Sequence, residues 1–190
     1  LWYATDNGIS LYERKSKKWH TMLSIADESI NKNHYFLTLC EVKPGIILAG
    51  GYAAGIYVIY KHSKETHFIR PNLMFPEKYI QTMFLDKYDN TIWMGGENQL
   101  INMSYKAGDV TVNYAEVFRG INYITERDAG TLWIGTKDGL YKFEKQTHEK
   151  QRIELPLERL KVNTIHQGPD GTLYIGTHHN GLVVYNEKEN

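Results

Sequence analysis

The sequence predicts an all-β protein, a β-propeller segment built of four-stranded antiparallel blades. Three observations carry that prediction. One short motif recurs five times within 190 residues, and Gly or Asn punctuates the copies at fixed offsets. The stretches between are short and rich in Tyr, Ile, Thr and Trp, the composition of strands rather than of a helical solenoid.

The motif is clearest in Thr131-Leu132-Trp133-Ile134-Gly135-Thr136 and Thr172-Leu173-Tyr174-Ile175-Gly176-Thr177. Thr91-Ile92-Trp93-Met94-Gly95-Gly96 matches well, Ile46-Ile47-Leu48-Ala49-Gly50-Gly51 more loosely, and Leu1-Trp2-Tyr3-Ala4-Thr5 is the same element without its beginning. The equivalent large residues are Trp2, Leu48, Trp93, Trp133 and Tyr174, spaced 46, 45, 40 and 41 apart. A period near 43 with four short strands per unit is the arithmetic of a propeller blade.

Each unit has one internal order. An apolar first strand is predicted over 36–40, 79–85, 121–125 and 162–166. A turn follows, closing on Gly45, Asn90, Gly130 or Gly171, the residue types that accept a positive φ at least cost. The second strand carries the large residue and reaches Gly50, Gly95, Gly135 or Gly176. A tight turn then closes at Gly8, Gly55, Gly139 or Gly181, with Gln99 in the middle unit predicting a different turn there. Third strands fit 9–12, 56–60, 100–105, 140–143 and 182–185. More polar fourth strands fit 66–70, 110–114 and 149–154, where Lys64, Glu65 and Lys150 guard the outer edge.

The whole of 1–190 is therefore expected to be one partial propeller, with repeat units near 1–45, 46–90, 91–130, 131–171 and 172–190. Strand counting gives three complete blades flanked by two partial ones, an excised piece of a larger ring. The expected form is an open arc whose apolar end faces need cover, from other blades of a parent propeller or from another copy of the chain.

Composition narrows the function classes. Lys plus Arg and Asp plus Glu are 22 each, so the positive excess of a non-specific nucleic-acid binder is missing. Cys40 is the single cysteine, which excludes an internal disulfide framework and a cysteine zinc site within these residues. The longest apolar run, 46–60, is too short and glycine-broken to span a bilayer, so no membrane contact is expected of this segment.

The order of apolar strand, Asp/Gly turn, Leu-Trp-Ile-Gly-Thr, short turn and Gly-Leu-Tyr resembles the two-component regulator propeller repeat. The resemblance is strongest over 128–143 and 170–185, fair over 86–105 and loose over 36–60. It implies a propeller of about seven blades in the periplasmic sensor region of a Bacteroides-type hybrid two-component regulator. It also implies a ligand drawn from glycan-derived oligosaccharides and control of a downstream histidine kinase.

The repeated Trp and Tyr read as blade-to-blade packing, because a ligand needs one site while a core needs every blade. Asp86, Asp89, Asp128 and Asp170 read as turn residues bonding local N–H groups rather than as metal ligands. Cys40 reads as a small buried side chain. Loops between blades and between second and third strands share one face, the default binding surface. On or beside it stand Trp19, His34, Tyr35, Tyr52, Tyr79, Arg119, His178, His179 and Asn180, the candidate ligand-binding residues. The adjacent His178 and His179 lack further ligands in sequence, so no metal and no cofactor is expected. Neither a Gly-x-Ser-x-Gly elbow, a phosphate loop nor His-Glu-x-x-His occurs, and no catalytic residue is assigned. The expectation is a non-catalytic ligand sensor; a protein-interaction or dimerisation scaffold and a propeller lyase or glycosidase are the alternatives.

Overall fold

Runs of β-branched and aromatic residues broken by Gly, Asn and Asp turns fold into successive hairpins. The computed structural model describes residues 1–26, 35–52, 55–69 and 79–187. These form five antiparallel sheets in chain order. Blade 1 holds β1 (Trp2–Thr5), β2 (Gly8–Glu13) and β3 (Lys18–Ser24). Blade 2 holds β4 (Phe36–Lys43), β5 (Ile46–Gly51), β6 (Ile56–Tyr60) and β7 (Thr66–Ile69). Blade 3 holds β8 (Ile80–Leu85), β9 (Ile92–Gly96), β10 (Gln99–Lys106) and β11 (Asp109–Val117). Blade 4 holds β12 (Ile121–Glu126), β13 (Thr131–Thr136), β14 (Gly139–Glu144) and β15 (Lys150–Ile153). Blade 5 holds β16 (Val162–Gln167), β17 (Leu173–Thr177) and β18 (Leu182–Tyr185). Three complete blades thus stand between two three-stranded ones.

Three local readings need correction. Residues 20–24, to which the sequence assigns no strand, belong to β3, where Met22 and Leu23 join the core shared by blades 1 and 2. β11 runs nine residues, longer than expected, by pairing along the whole of β10 through a bulge at Asn102/Met103. Gly45, Asn90 and Gly171 do take positive φ in the first turn, whereas Gly130 does not. The Asp residues act as turn acceptors: Asp89 Oδ1 takes the Thr91 N–H at 2.8 Å, Asp128 Oδ1 that of Gly130 at 2.9 Å, and Asp170 Oδ1 that of Thr172 at 3.0 Å. Gln99 lacks the positive φ of Gly8, Gly55 and Gly139, so the turn of blade 3 does differ.

The core is divided among the junctions. Each consecutive pair of blades shares one apolar cluster, and the extensive contacts between sheets join only consecutive blades. The repeated large residue always faces the following blade. Leu48 packs with Ile80 and Met83, Trp93 with Ile121 and Ile124, and Trp133 with Val162 and Ile165. The indole N–H groups of Trp93 and Trp133 are buried without a hydrogen-bond partner, so these rings serve as apolar filling. Tyr174 holds the same place in blade 5 but is 40% exposed, alongside exposed Leu182 and Val184.

The glycine two residues after the large one is a seat. A Cβ on Gly50 would fall 2.8 Å from Ile80 Cγ2, on Gly95 2.4 Å from Ile121 Cγ2, and on Gly135 2.4 Å from Val162 Cγ1. The first residue of each following innermost strand therefore rests directly on the backbone of the blade before it. Ion pairs reinforce the junction of blades 3 and 4: Lys145–Asp86 at 2.6 Å, Lys150–Glu116 at 2.9 Å, Lys87–Glu126 and Lys137–Glu97. Asp86 is fully buried there.

Two predictions follow from this packing. Trp133→Ala should cost about 3–5 kcal/mol of unfolding free energy, whereas Tyr174→Ala should change it by roughly 0.5 kcal/mol; equal losses in urea titrations would contradict the junction assignment. Gly135→Ala should lose about 1–3 kcal/mol by overpacking, while Gly130→Ala, whose nearest Cβ neighbour would be 3.7 Å away, should be near neutral in the same titration.

Candidate functional site

The seat has a second consequence at the top end of the innermost strands. In each of β4, β8, β12 and β16 the register slips by one residue just after the seated side chain. The bulged residues are Leu37, Gln81, Asn122 and Asn163, each lying between two partners of the adjacent strand without one of its own. A β-bulge re-aims a side chain out of the ladder, and such bulges concentrate near functional sites. Here Gln81, Asn122 and Asn163 line one cleft of about 600 Å³.

Two further positions recur in blades 2 to 5 beside the bulges. The residue before each innermost strand is Tyr35, Tyr79, Gly120 or Lys161, and the first turn residue after each second strand is Tyr52, Glu97, Lys137 or His178. Backbone bonds tie these positions together: Tyr52 N–H to Tyr35 O at 2.9 Å, Lys137 N–H to Gly120 O at 2.9 Å, and His178 N–H to Lys161 O at 2.9 Å. An isolated bridge joins Tyr52 to Tyr79, whose rings meet edge to face at 4.8 Å. Tyr52, Tyr79, Glu97, Lys137 and Lys161 all line the cleft. Glu97 is bound by Lys137 and is the single carboxylate among the described lining residues.

The amides differ in duty. Asn122 Nδ2 donates to the Val162 carbonyl at 2.8 Å, stitching blade 4 to blade 5, whereas Asn163 is exposed. Such a wall can stack a flat ring face and hydrogen-bond several hydroxyls. Cys40 is of no use as a nucleophile: burial pushes its thiol up to about 11, well above the ordinary thiol value.

Of the residues expected from sequence, Tyr35, Tyr52 and Tyr79 come together, the Tyr35 ring lying 6.1 Å from that of Tyr52. His178, His179 and Asn180 form the exposed β17–β18 turn, with the two imidazoles 4.3 Å apart. Arg119 lines an adjoining depression of about 340 Å³ with Asn98 and Asp138, which shares Glu97 and Lys137 with the cleft. Trp19 does not belong to this face. It stands at the far end of β3, one rung from the β2–β3 turn, 59% exposed and 5.0 Å from both Tyr3 and Tyr12 on the open side of blade 1. Its β-strand register carries it there. His34 lies outside the described residues. Gln81, Asn122, Lys137, Lys161 and Asn163 were not foreseen, although three amides at the second residue of four innermost strands are a pattern visible in the sequence.

Asn122→Ala should lose about 0.5–1.5 kcal/mol because the Val162 carbonyl loses its donor, while Asn163→Ala should leave the melting transition in place. Equal effects in differential scanning calorimetry would refute this division between a structural and an available amide.

No protein-family model matches the chain, and no curated protein matches it. Solved structures do. The chain is similar to the extracellular domain of a hybrid two-component system from B. thetaiotaomicron, with a TM-score of 0.74 and 19% identity over 96% of this chain and 24% of that one. A second such domain from the same organism gives a TM-score of 0.78 at 18% identity, covering 98% of this chain and 26% of that one. Another structure of that second domain, described as part of a one-component system, gives 0.77 at 19%, again over 98% and 26%. The chain spans about a quarter of the length of these relatives. At this level of identity the likeness shows the fold: a segment of the β-propeller found in the extracellular domains of B. thetaiotaomicron two-component systems.

Proposed function

We propose that this chain is a ligand-sensing part of the periplasmic ectodomain of a hybrid two-component regulator. In this reading it recognises a glycan-derived oligosaccharide, catalyses nothing itself, and passes occupancy on to a kinase. The observation that carries the reading is the cleft. Tyrosines and bulged amides from successive blades converge on one concavity large enough for several sugar rings. A sugar presents a flat C–H face for stacking and a rim of hydroxyls for amides, and this wall offers both. The fold likeness to extracellular domains of two-component systems supports the same assignment. A lone carboxylate already tied to Lys137 suits binding better than glycoside hydrolysis, which ordinarily needs a carboxyl pair.

A scaffold role is the second reading. It draws on the exposed Tyr3 and Trp19 of blade 1 and the exposed Tyr174, Leu182 and Val184 of blade 5. These faces match the buried junctions in kind and would take further blades or another copy of the chain.

Isothermal titration of the protein against a panel of plant and host oligosaccharides tests the first reading. Saturable binding should appear for at least one sugar, Tyr79→Ala should weaken it about tenfold, and chromatography should recover the sugar unchanged. Absence of binding across the panel, or binding indifferent to Tyr79, would refute it.

A further inference from the structure

The lining of the cleft changes character along the arc. Blade 2 contributes Tyr52; blade 3 contributes Tyr79, Gln81 and Glu97; blade 4 contributes Asn122 and Lys137; blade 5 contributes Lys161 and Asn163. One end is aromatic and apolar, and the other is cationic. The strand pairing beneath these positions repeats from blade to blade, so packing does not dictate the change.

Charge is unbalanced at the cationic end. Glu97 and Lys137 neutralise each other across the blade 3–4 junction. Lys161 lines the same cleft, is half-buried, and forms no ion pair with any described carboxylate. Its backbone is held just before β16 by the His178 N–H at 2.9 Å. An ammonium on a concave wall gains from an anionic partner, and a neutral ligand closing over it would bury the charge without compensation.

We infer that the cleft takes an acidic oligosaccharide, with an uncharged sugar ring against Tyr52 and Tyr79 and a carboxylate or sulfate group at Lys161. This rests on the reading of the cleft as an oligosaccharide site. Lys161 is then the residue that sets specificity between acidic and neutral glycans.

The test is isothermal titration of wild type, K161Q, K161R and Tyr79→Ala against six tetrasaccharides. Three are acidic (oligogalacturonate, chondroitin sulfate, heparan sulfate) and three neutral (xylotetraose, mannotetraose, galactotetraose). Melting temperatures of each variant accompany the titrations. The expected result is tightest binding of an acidic member, weakened about tenfold or more in K161Q and largely kept in K161R. Binding should also weaken in about 0.5 M salt, where the Debye length shrinks to a few ångströms. If a neutral member binds best, or K161Q binds the acidic one as wild type does, the acidic specificity is wrong. The site reading then survives provided Tyr79→Ala weakens that binding. If no member binds, the site reading and the specificity fall together.

Discussion

Everything else in this protein depends on one close contact, the first side chain of an innermost strand resting on a glycine of the blade before it. Ile80, Ile121 and Val162 sit where a Cβ on Gly50, Gly95 or Gly135 would have to be. That contact sets the distance between blades, and the repeated large residue then fills the wedge beside it. Interiors packed at crystal-like density do not tolerate an extra methyl at such a place. A sequence can therefore vary its strands freely while this glycine and its partner stay in step.

The same contact explains where the cleft lies. Seating the first residue leaves the next one, Gln81, Asn122 or Asn163, bulged from the ladder and lining the cleft. Junction packing and cleft lining thus fall on adjacent residues. The seated residue is apolar in all three cases, Ile80, Ile121 and Val162, while the residue after it is Gln81, Asn122 or Asn163. A site assembled this way can be retuned by changing three positions per blade without disturbing the junctions. Asn122 is the exception, since its amide also holds the Val162 carbonyl.

Most of the fold was legible because the repeated motif is a direct record of the junctions: Trp93 and Trp133 face forward, and Gly95 and Gly135 carry the next blade. The fourth strands were harder, since β3 and β11 carry no copy of the repeated motif and their bounds are set by pairing with β2 and β10. The site was legible only in part. That Tyr35, Tyr52 and Tyr79 lie together was legible because loop aromatics on one face stand out. Trp19 was misplaced because a sequence reading that missed β3 could not say which end of the strand it occupied. Gln81 and Asn163 escaped because an amide there reads as an ordinary strand residue until the pairing geometry shows the one-residue slip in register. Lys161 escaped because its setting is relational: Lys137 has Glu97 across the junction, whereas Lys161 forms no ion pair among the described residues.

The central claim is that one wall, built from bulged amides and loop side chains of blades 2 to 5, receives the ligand. Hydrogen-exchange mass spectrometry with and without a bound oligosaccharide tests it most directly. The account predicts slowed exchange confined to the top-end segments 79–82, 96–98, 120–123, 136–138 and 161–164. Protection centred instead on the opposite end, around 86–90, 126–131 and 167–171, would place the ligand on the other face and contradict it.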